Sequence, residues 1–300
     1  GVYNERVKNI CKKRLDAYPI KLSVGVPQGA WRKKYQQKHQ NQFHQHLTDK
    51  VVLVTGGGGL LGKMHSEVVV ENGGKVIIGD INIEAAQKVA DDLNQNYPDK
   101  AHPISLDVLD KKSIENCLIA HDDINTLINN AAIDPKVTKD SGPGGAFESL
   151  SEYEWDLSID VIMKGTFLCS QVFCPFFANK GGGIVVNISS VLGVIAPNQS
   201  IYGESFKPIT YSAAKHGIVG MTKYLATYYA QSNVRVNALS PGGVFDNHPD
   251  EFVDKLTNLI PMKRMADKNE YKGSIAFLCS DASSYMTGHN LIVDGGMSVW

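Results

Sequence analysis

Tyr211 and Lys215 are the two residues whose types and spacing most clearly permit chemistry. They occur in the run YSAAK, and a separation of four residues places both side chains on one face of a helix. A phenol with a pKa of about 10 is a poor base at neutral pH, but a nearby ammonium group favours its phenolate form. Tyr211 can then exchange a proton with an oxygen atom of a substrate. The pair therefore predicts general acid–base catalysis assisted by a cation.

Ser190 is the second candidate for a catalytic role. It lies in the run VVNISSVLG, at the end of a predicted strand. Its hydroxyl group can hydrogen-bond the same substrate oxygen and hold it in position for a hydride transfer. No grouping of His, Cys, Asp and Glu in the sequence has the spacing of metal ligands, so we expect this chemistry to proceed without a metal ion.

A glycine cluster in the run VVLVTGGGGLLGK predicts a binding site for a pyrophosphate. It joins a predicted strand to a predicted helix, where bare backbone and unpaired N–H groups can face phosphate oxygens. Gly57, Gly59 and Gly62 satisfy the pattern GxGxxG, and Gly56, Gly59 and Gly62 satisfy TGxxGxxG.

Asp80 ends a second apolar run, KVIIGD, eighteen residues after Gly62. A carboxylate at this place can accept hydrogen bonds from the 2′-hydroxyl group of an adenosine ribose. A 2′-phosphate would meet its negative charge, and neither Ile81 nor Asn82 provides a guanidinium group to offset it. The sequence therefore predicts NAD as the cofactor, in preference to NADP.

The elements that must position these residues follow from the apolar pattern. From Lys50 onward, short apolar runs alternate with longer segments of helical periodicity, which indicates a parallel sheet with helices on both faces. Strands are predicted at 51–55, 75–79, 103–107, 125–130, 183–188, 234–239 and 290–294. Helices are predicted at 60–72, 83–96, 111–121, 151–178, 211–231 and 267–280. We expect one doubly wound α/β domain over residues 47–300.

Residues 1–46 are predicted to lie outside this domain. They end in the polar run WRKKYQQKHQNQFHQH, which has few residues to bury. Residues 1–49 contain ten Lys and Arg against three Asp and Glu, whereas residues 50–300 contain 20 against 28. One interpretation is a nucleic-acid or membrane contact through Arg32, Lys33, Lys34 and Lys38, and the other is a solvated extension without a partner.

The composition excludes several classes of protein. With 300 residues, of which 43% are hydrophobic, the chain can bury a large core and is not disordered as a whole. Its longest apolar runs are far shorter than the roughly 20 residues that span a bilayer, so no membrane-spanning segment is expected. Five cysteines without a CxxC pair favour a reducing, cytoplasmic location.

Together these motifs resemble the short-chain dehydrogenase/reductase family from about Leu47 to the C-terminus. The resemblance rests on the glycine turn, Asp107–Val108, NNAA at 129–132, Ser190, the Tyr211–Lys215 pair, SPGGV at 240–244 and VDGG at 293–296. It implies a Rossmann-type sheet of about seven strands and an NAD(P)-dependent oxidoreductase acting on CH–OH groups. By the same resemblance, the catalytic residues are Ser190, Tyr211 and Lys215.

The resemblance also implies the cofactor-binding residues and the assembly. Pyrophosphate contacts are expected at Gly56, Gly59, Leu60, Leu61 and Gly62, and adenosine contacts at Asp80, Asp107 and Val108. The nicotinamide and its ribose are expected to meet Asn129, Ala131, Tyr211, Lys215, Pro241, Gly242 and Val244. A homodimer or homotetramer is expected through helices 151–178 and 211–231.

Two positions depart from the family pattern. Leu60 stands where the most common variant has glycine, which shifts the pyrophosphate contact to Gly59 and the Leu60–Leu61 backbone. Ile162 stands where the family has an asparagine that supports a water-mediated proton relay. We therefore expect proton delivery to be slower, or to follow another path through Asn130 or through water beside Ser190.

The finer resemblance concerns the substrate. The runs INNAAIDPKV and GESFKPITYSAAK are similar to the subgroup associated with nonulosonic-acid and surface-glycan sugar biosynthesis, which implies a sugar, sugar phosphate or nucleotide sugar. The cations predicted around the pocket are Lys136, Lys139, Lys207, Lys263 and Arg264. Two alternatives are a 3-oxoacyl or steroid-like reductase and a catalytically weakened NAD-binding sensor or subunit.

Overall fold

The computed structural model describes residues 46–133 and 145–300 of the chain. The basic residues of the N-terminal extension that were named above, and the candidate pocket residues Lys136 and Lys139, lie outside these residues. Within the described part, the body of the protein begins at Leu47, which is fully buried and donates its backbone N–H to the carbonyl oxygen of Asn72.

Seven parallel strands form one sheet in the order β3-β2-β1-β4-β5-β6-β7. They are β1 Val51–Thr55, β2 Lys75–Asp80, β3 Ala101–Ser105, β4 Thr126–Asn129, β5 Gly183–Ile188, β6 Val234–Pro241 and β7 Asn290–Val293. The predicted strands agree with these bounds to within two residues at each end, and the doubly wound α/β fold is confirmed.

Eight α-helices accompany the sheet in the described part of the chain. They are α1 Leu60–Glu71, α2 Ile83–Asn94, α3 Lys111–Ala120, α4 Glu152–Ile159, α5 Gly165–Asn179, α6 Ile209–Tyr229, α7 Asp250–Asn258 and α8 Lys272–Cys279. The predicted single helix 151–178 is wrong in one respect, because a π turn at Asp160–Lys164 separates α4 from α5.

Two other helix predictions need correction. Helix α7 was not predicted; it is nine residues long, and Leu256 is its only buried residue. The segment predicted as the start of helix 267–280 is a separate 3₁₀ turn, Lys268–Tyr271. Asp267 and Glu270 form a capping box on that turn, which fixes its tighter geometry.

The two faces of the sheet bury different sets of side chains. On β1, Val52 and Val54 belong to the cluster that packs against α1, α2 and α8, while Leu53 belongs to the cluster that packs against α3, α5 and α6. Alternation of buried side chains to both faces is what a parallel sheet covered by helices requires.

The strand order reverses between β1 and β4, and this places a crevice at the carboxyl ends of the strands. β2 and β3 lie on one side of β1, and β4 to β7 lie on the other. The connections therefore diverge beyond Thr55 and Asn129. In sheets of this kind, ligands bind in the crevice at this switch point.

The stretch Glu152–Asn179 is the one helical segment among the described residues that is long and apolar enough to cross a membrane by length and composition. Its inner face carries Phe173 and Phe177, which are fully buried against the sheet. A helix that covers one face of a sheet has the same composition.

Candidate active site

The glycine turn lies at the carboxyl end of β1, beside the switch point. Gly56 has a φ of 63°, and a Cβ atom there would lie 2.8 Å from Cα of Ala131. Both features exclude a larger residue. Helix α1 follows with Gly59 as its N-cap, no side-chain cap and no acidic residue in its first turn. Its first backbone N–H groups, at Leu60 and Leu61, are therefore directed toward a ligand site that favours an anion.

Asp80 lies at the carboxyl end of β2, next to this turn. Its Oδ2 accepts the backbone N–H of Gly58 at 2.9 Å, and its Oδ1 accepts the backbone N–H of Asn82 at 2.9 Å. These bonds fix the carboxylate, while each oxygen keeps lone-pair capacity for a further donor. Ile81 is 73% exposed beside it. The pair presents an acceptor and an apolar surface, which suits the ribose and adenine of a dinucleotide.

Thr55 connects the glycine turn to the end of β4. Its hydroxyl oxygen accepts the backbone N–H groups of Asn130 and Ala131 at 3.0 and 3.1 Å. The side chain of Asn130 donates to the carbonyl oxygens of Thr55 and Gly56, both at 3.0 Å. Asn130 is therefore committed to the turn, so the alternative proton path expected through its side chain is not supported.

Asn129 turns its side chain into the interior. Its Nδ2 donates to Oγ of Ser170 at 3.2 Å and to Oδ1 of Asn187 at 2.8 Å. Asn187 in turn donates to the hydroxyl group of Thr222 at 2.9 Å. This buried chain joins β4 and β5 to helices α5 and α6, so any cofactor contact at Asn129 must come from its backbone.

Asp107 and Val108 follow β3 in a tight turn. The Oδ1 of Asp107 accepts the backbone N–H of Leu109 at 2.8 Å, and Leu106 donates its N–H to the carbonyl oxygen of Asp80. Val108 is buried and packs against Gly165, where a Cβ atom would lie 2.8 Å from it. The turn therefore lies beside Asp80 at the same edge of the sheet.

Tyr211 and Lys215 lie on α6, as predicted. The buried Lys215 donates from Nζ to the carbonyl oxygen of Ile188 at 2.9 Å, and its Nζ lies 5.6 Å from the ring centroid of Tyr211. The ammonium group of Lys215 is thus held at the end of β5 and faces the ring of Tyr211, which lies one turn earlier on α6.

Ser190 is joined to this helix through its neighbours. The hydroxyl group of Ser189 donates to the carbonyl oxygen of Lys215 at 2.8 Å. A Cβ atom at Gly193 would lie 2.7 Å from that same oxygen, so only glycine permits this close approach. Ser190 itself accepts the N–H of Leu192 at 3.1 Å, which leaves its own hydroxyl hydrogen for another acceptor. Sequence reasoning missed Ser189 and Gly193, although both flank Ser190 in the SSVLG run.

Ile162 lies in the π turn and faces α6. It is 1% exposed and packs with Ala214 and Ile218 in a cluster that Tyr211 also contacts. Its carbonyl oxygen accepts the hydroxyl group of Thr166 at 2.7 Å. The environment beneath Tyr211 on this side is therefore apolar.

Pro241 is the last residue of β6, and Gly242 and Val244 follow it. Gly242 donates its N–H to the carbonyl oxygen of Val293, and Val244 forms a parallel bridge with Ala266. The first of these bonds holds the segment against β7, at the carboxyl edge of the sheet where Ser190 and Asn129 also lie.

The predicted pocket cations differ in where they lie. Lys207 lies over the ring of Tyr211, with Nζ 4.2 Å from its centroid. Arg264 instead forms an ion pair with Glu270 at 2.7 Å, and Lys263 lies 5.4 Å from the ring centroid of Trp300. Arg264 and Lys263 thus each have a partner within the protein, and their place around the pocket stays a prediction. Among residues 46–133 and 145–300, no cluster of three or more His, Cys, Asp or Glu could hold a metal ion.

Comparison with known proteins decides the family. A family model described as enoyl-(acyl carrier protein) reductase matches residues 61–298. The chain belongs to the short-chain dehydrogenase/reductase family. It is an oxidoreductase of the kind that acts on CH–OH groups, and its family uses NAD(P).

Relatives within this short-chain dehydrogenase/reductase family differ in their substrates. A 3-oxoacyl-[acyl-carrier-protein] reductase of Thermotoga maritima is 34% identical over 84% of this chain and 99% of its own length. A post-translational flagellin modification protein A of Campylobacter coli is 31% identical over 83% and 98%. The crystal structure of a short-chain dehydrogenase of Leptospira borgpetersenii with bound NAD⁺ is 30% identical, with a TM-score of 0.74 over 87% and 99%.

Proposed function

We propose that this enzyme interconverts a secondary alcohol and a ketone on a small polar substrate, with NAD(H) as its cofactor and with Ser190, Tyr211 and Lys215 as its catalytic residues. The substrate class is a sugar, a sugar phosphate or a nucleotide sugar. The observation that carries the proposal is the placement of Lys215 between the end of β5 and the ring of Tyr211, directly beside the Ser190 turn.

The residues present fit a dinucleotide. Gly56, Gly59, Leu60, Leu61 and Gly62 would hold the pyrophosphate at the uncapped start of α1, Asp80 the adenosine ribose, and Asp107 and Val108 the adenine. The backbone of Asn129 and Ala131, together with Tyr211, Lys215, Pro241, Gly242 and Val244, would surround the nicotinamide and its ribose. When bound, the nicotinamide supplies or accepts the hydride.

The protein's own residues handle the proton. Ser190 uses its free hydroxyl hydrogen to hold the substrate oxygen, and Tyr211 gives a proton to that oxygen during ketone reduction. The ammonium group of Lys215 favours the phenolate that remains. In alcohol oxidation the same groups act in reverse, so Tyr211 removes the proton.

The preference for NAD rests on the fixed Asp80 carboxylate. A 2′-phosphate would face this charge, and the neighbouring Ile81 and Asn82 offer no cation to balance it. The polar substrate is supported by the PNQSIYGESFKPIT loop before Tyr211 and by similarity to the flagellin modification protein.

A second candidate is a 3-oxoacyl reductase. The matching family model and the Thermotoga maritima relative both carry acyl-carrier-protein substrates in their descriptions. Apolar side chains are also exposed in the segment between Ser190 and Tyr211, at Val194, Phe206 and Ile209. These residues give the loop a more apolar surface than its sequence suggests, which suits an acyl chain.

Cytoplasmic location and self-assembly are further parts of the proposal. The four described cysteines are free and buried, and burial raises the pKa of Cys117, Cys174 and Cys279 to about 12. Free cysteines suit a reducing compartment, where disulfides are rare. Exposed aromatic residues on α5 and α6 favour a homodimer or homotetramer.

Steady-state oxidation of NADH tests the function. The panel contains keto sugars, keto sugar phosphates and a 3-oxoacyl thioester, and we expect turnover on the polar ketones. Tyr211→Phe should lower kcat by roughly 10²–10⁴-fold with NADH affinity unchanged. Turnover on the thioester alone would establish the second candidate, and NADH binding without turnover on any ketone would indicate a sensor.

A further inference from the structure

The loop before α6 brings a second ammonium group to Tyr211. Ser190 and Tyr211 are 21 residues apart, and the segment between them carries Lys207. The Nζ atom of Lys207 lies 4.2 Å from the ring centroid of Tyr211, whereas that of Lys215 lies 5.6 Å away. Both distances are within the range of cation–π attraction. The ring of Tyr211 is therefore contacted by two cations.

The backbone of Lys207 is held in place by Gln199. The N–H of Lys207 donates to Oε1 of Gln199 at 2.9 Å, and Nε2 of Gln199 donates to the carbonyl oxygen of Lys207 at 3.1 Å. Pro208 follows with a φ of −60° and forms the N-cap of α6. Because proline fixes this angle, the clamp and the proline together set the direction from which Lys207 reaches the ring.

Among the described residues, three titratable side chains approach Tyr211, either over its ring or within its hydrophobic cluster. Lys207 comes from the loop, Lys215 from the next turn of α6, and Tyr202 from the turn Gln199–Tyr202, which packs in the same cluster as Tyr211. The π turn contributes the apolar Ile162. Two lysine side chains thus approach the ring of Tyr211 from two different elements.

We propose that Lys207 is a positioning residue that acts through Tyr211, holding an ammonium group against its ring and favouring the phenolate. A cation over an aromatic face is attracted more strongly to a ring that carries negative charge. The contact also restricts rotation of the ring. This proposal rests on the acid–base role proposed above for Tyr211. It assigns a part in proton transfer to the segment between Ser190 and Tyr211.

Ultraviolet difference titration of the phenol tests the proposal directly. Subtracting the titration of Tyr211→Phe from that of the unmodified protein isolates Tyr211 among the 12 tyrosines. The same subtraction is made in a Lys207→Met background, which keeps the length of the side chain and removes its charge. We expect the midpoint of Tyr211 to rise by roughly one pH unit, at the lower end of the effect of a nearby charge. Lys207→Arg should retain the original midpoint.

Two further variants complete the test. Lys180→Met removes a cation that lies 5.3 Å from the ring centroid of Phe176, and it should leave the midpoint of Tyr211 unchanged. Gln199→Ala releases the clamp and should raise the midpoint by a smaller amount, and it serves if Lys207→Met does not fold. An unchanged midpoint in both Lys207→Met and Gln199→Ala overturns the proposal.

The titration needs neither substrate nor turnover, so the two proposals can fail separately. A raised midpoint in an enzyme that reduces no ketone would retain the role of Lys207 in tuning the phenol and reject the proposed reaction. Ketone reduction with an unchanged midpoint would retain the reaction and reject the role of Lys207.

Discussion

At the scale of single residues, we propose that Asp80 sets the preference of the enzyme for NAD over NADP. Its carboxylate is fixed by backbone N–H groups of Gly58 and Asn82, so it cannot turn away from a 2′-phosphate without losing both bonds. Neutralising it and adding a guanidinium group nearby should reverse the electrostatic balance.

Asp80→Ala combined with Ile81→Arg should therefore shift the ratio of NADH to NADPH affinity by roughly ten- to a hundredfold, which corresponds to about 1.4–2.8 kcal/mol. Fluorescence titration of both cofactors measures this ratio. Asp80→Asn alone is the control, and we expect it to weaken the discrimination without reversing it. Tighter binding of NADPH than NADH by the unmodified protein would reject the assignment.

His65 on α1 is a residue whose effect is on stability. It is fully buried, and neither ring nitrogen has a hydrogen-bond partner among the described residues. Burial lowers the pKa of His65 from 6.5 to about 3. Between pH 6.5 and about 3, His65 is protonated in the unfolded chain but neutral in the folded protein. The free energy of unfolding therefore decreases as the pH falls through this range, whereas His65 does not affect its pH dependence above pH 6.5.

The stabilities of the unmodified protein and of His65→Leu should therefore diverge with pH. Lowering the pH from 7.5 to 5.5 should cost the unmodified protein about 1.4 kcal/mol more than the variant, from the proton uptake of one histidine. Urea denaturation at both pH values measures the difference. His216→Gln, at an exposed position on α6, should behave like the unmodified protein. Equal pH dependence in His65→Leu would show that His65 is solvated.

At the scale of elements, the π turn Asp160–Lys164 shows what sequence patterns could and could not provide. Apolar periodicity predicted the helical segment, but it did not predict the π turn within it. A π turn contains one more residue than an α-helical turn, and no particular residue types mark it in the sequence. The Tyr211–Lys215 pair was predictable because helical spacing alone brings the two side chains together. The contacts of Lys207 with Tyr211 and of Arg264 with Glu270 were not, although the partners are only four and six residues away, because segments outside regular helices have no fixed side-chain spacing.

Within that π turn, Ile162→Asn tests the proton path. The apolar cluster beside Tyr211 cannot hold the water that an asparagine amide would position. We expect Ile162→Asn to raise kcat and reduce the solvent isotope effect without changing NADH affinity. The free energy of unfolding should fall by about 1–3 kcal/mol, because a polar amide is buried.

Ile162→Val is the matched control, which keeps the apolar character and should leave kcat unchanged. A native enzyme of ordinary turnover in which Ile162→Asn changes neither kcat nor the isotope effect would contradict a limiting proton path. The replacement of asparagine would then be without catalytic consequence, and the sensor alternative would lose its main support.

At the scale of the whole molecule, the sequence predicted the sheet because each strand is a short apolar run ended by a turn. Because the strands are parallel, their carboxyl ends meet at one edge of the sheet. Thr55, Asp80 and Asn129 all lie at that edge. That residues 1–46 lie outside the domain stays a prediction. The start of the domain near Leu47 is supported by the complete burial of Leu47 in the core.

Exposed aromatic side chains on α5 and α6 predict that the protein assembles into oligomers. Tyr224 and Tyr228 on α6 are 66% and 55% exposed, and their rings stack with centroids 5.9 Å apart. Phe167 on α5 is also exposed. Aromatic residues exposed together on neighbouring helices favour a protein–protein interface over solvent.

Light scattering should therefore give the mass of a dimer or tetramer for the unmodified protein. Tyr224→Glu combined with Tyr228→Glu should reduce that mass, because two carboxylates would have to be desolvated in the interface. Ile119→Glu changes a residue on α3 that is 78% exposed, and the assembly should tolerate it. A monomeric unmodified protein would reject this interface. An unchanged mass in the tyrosine double variant would place the contact on another face, and the exposed aromatic pair on α6 would then need a different partner.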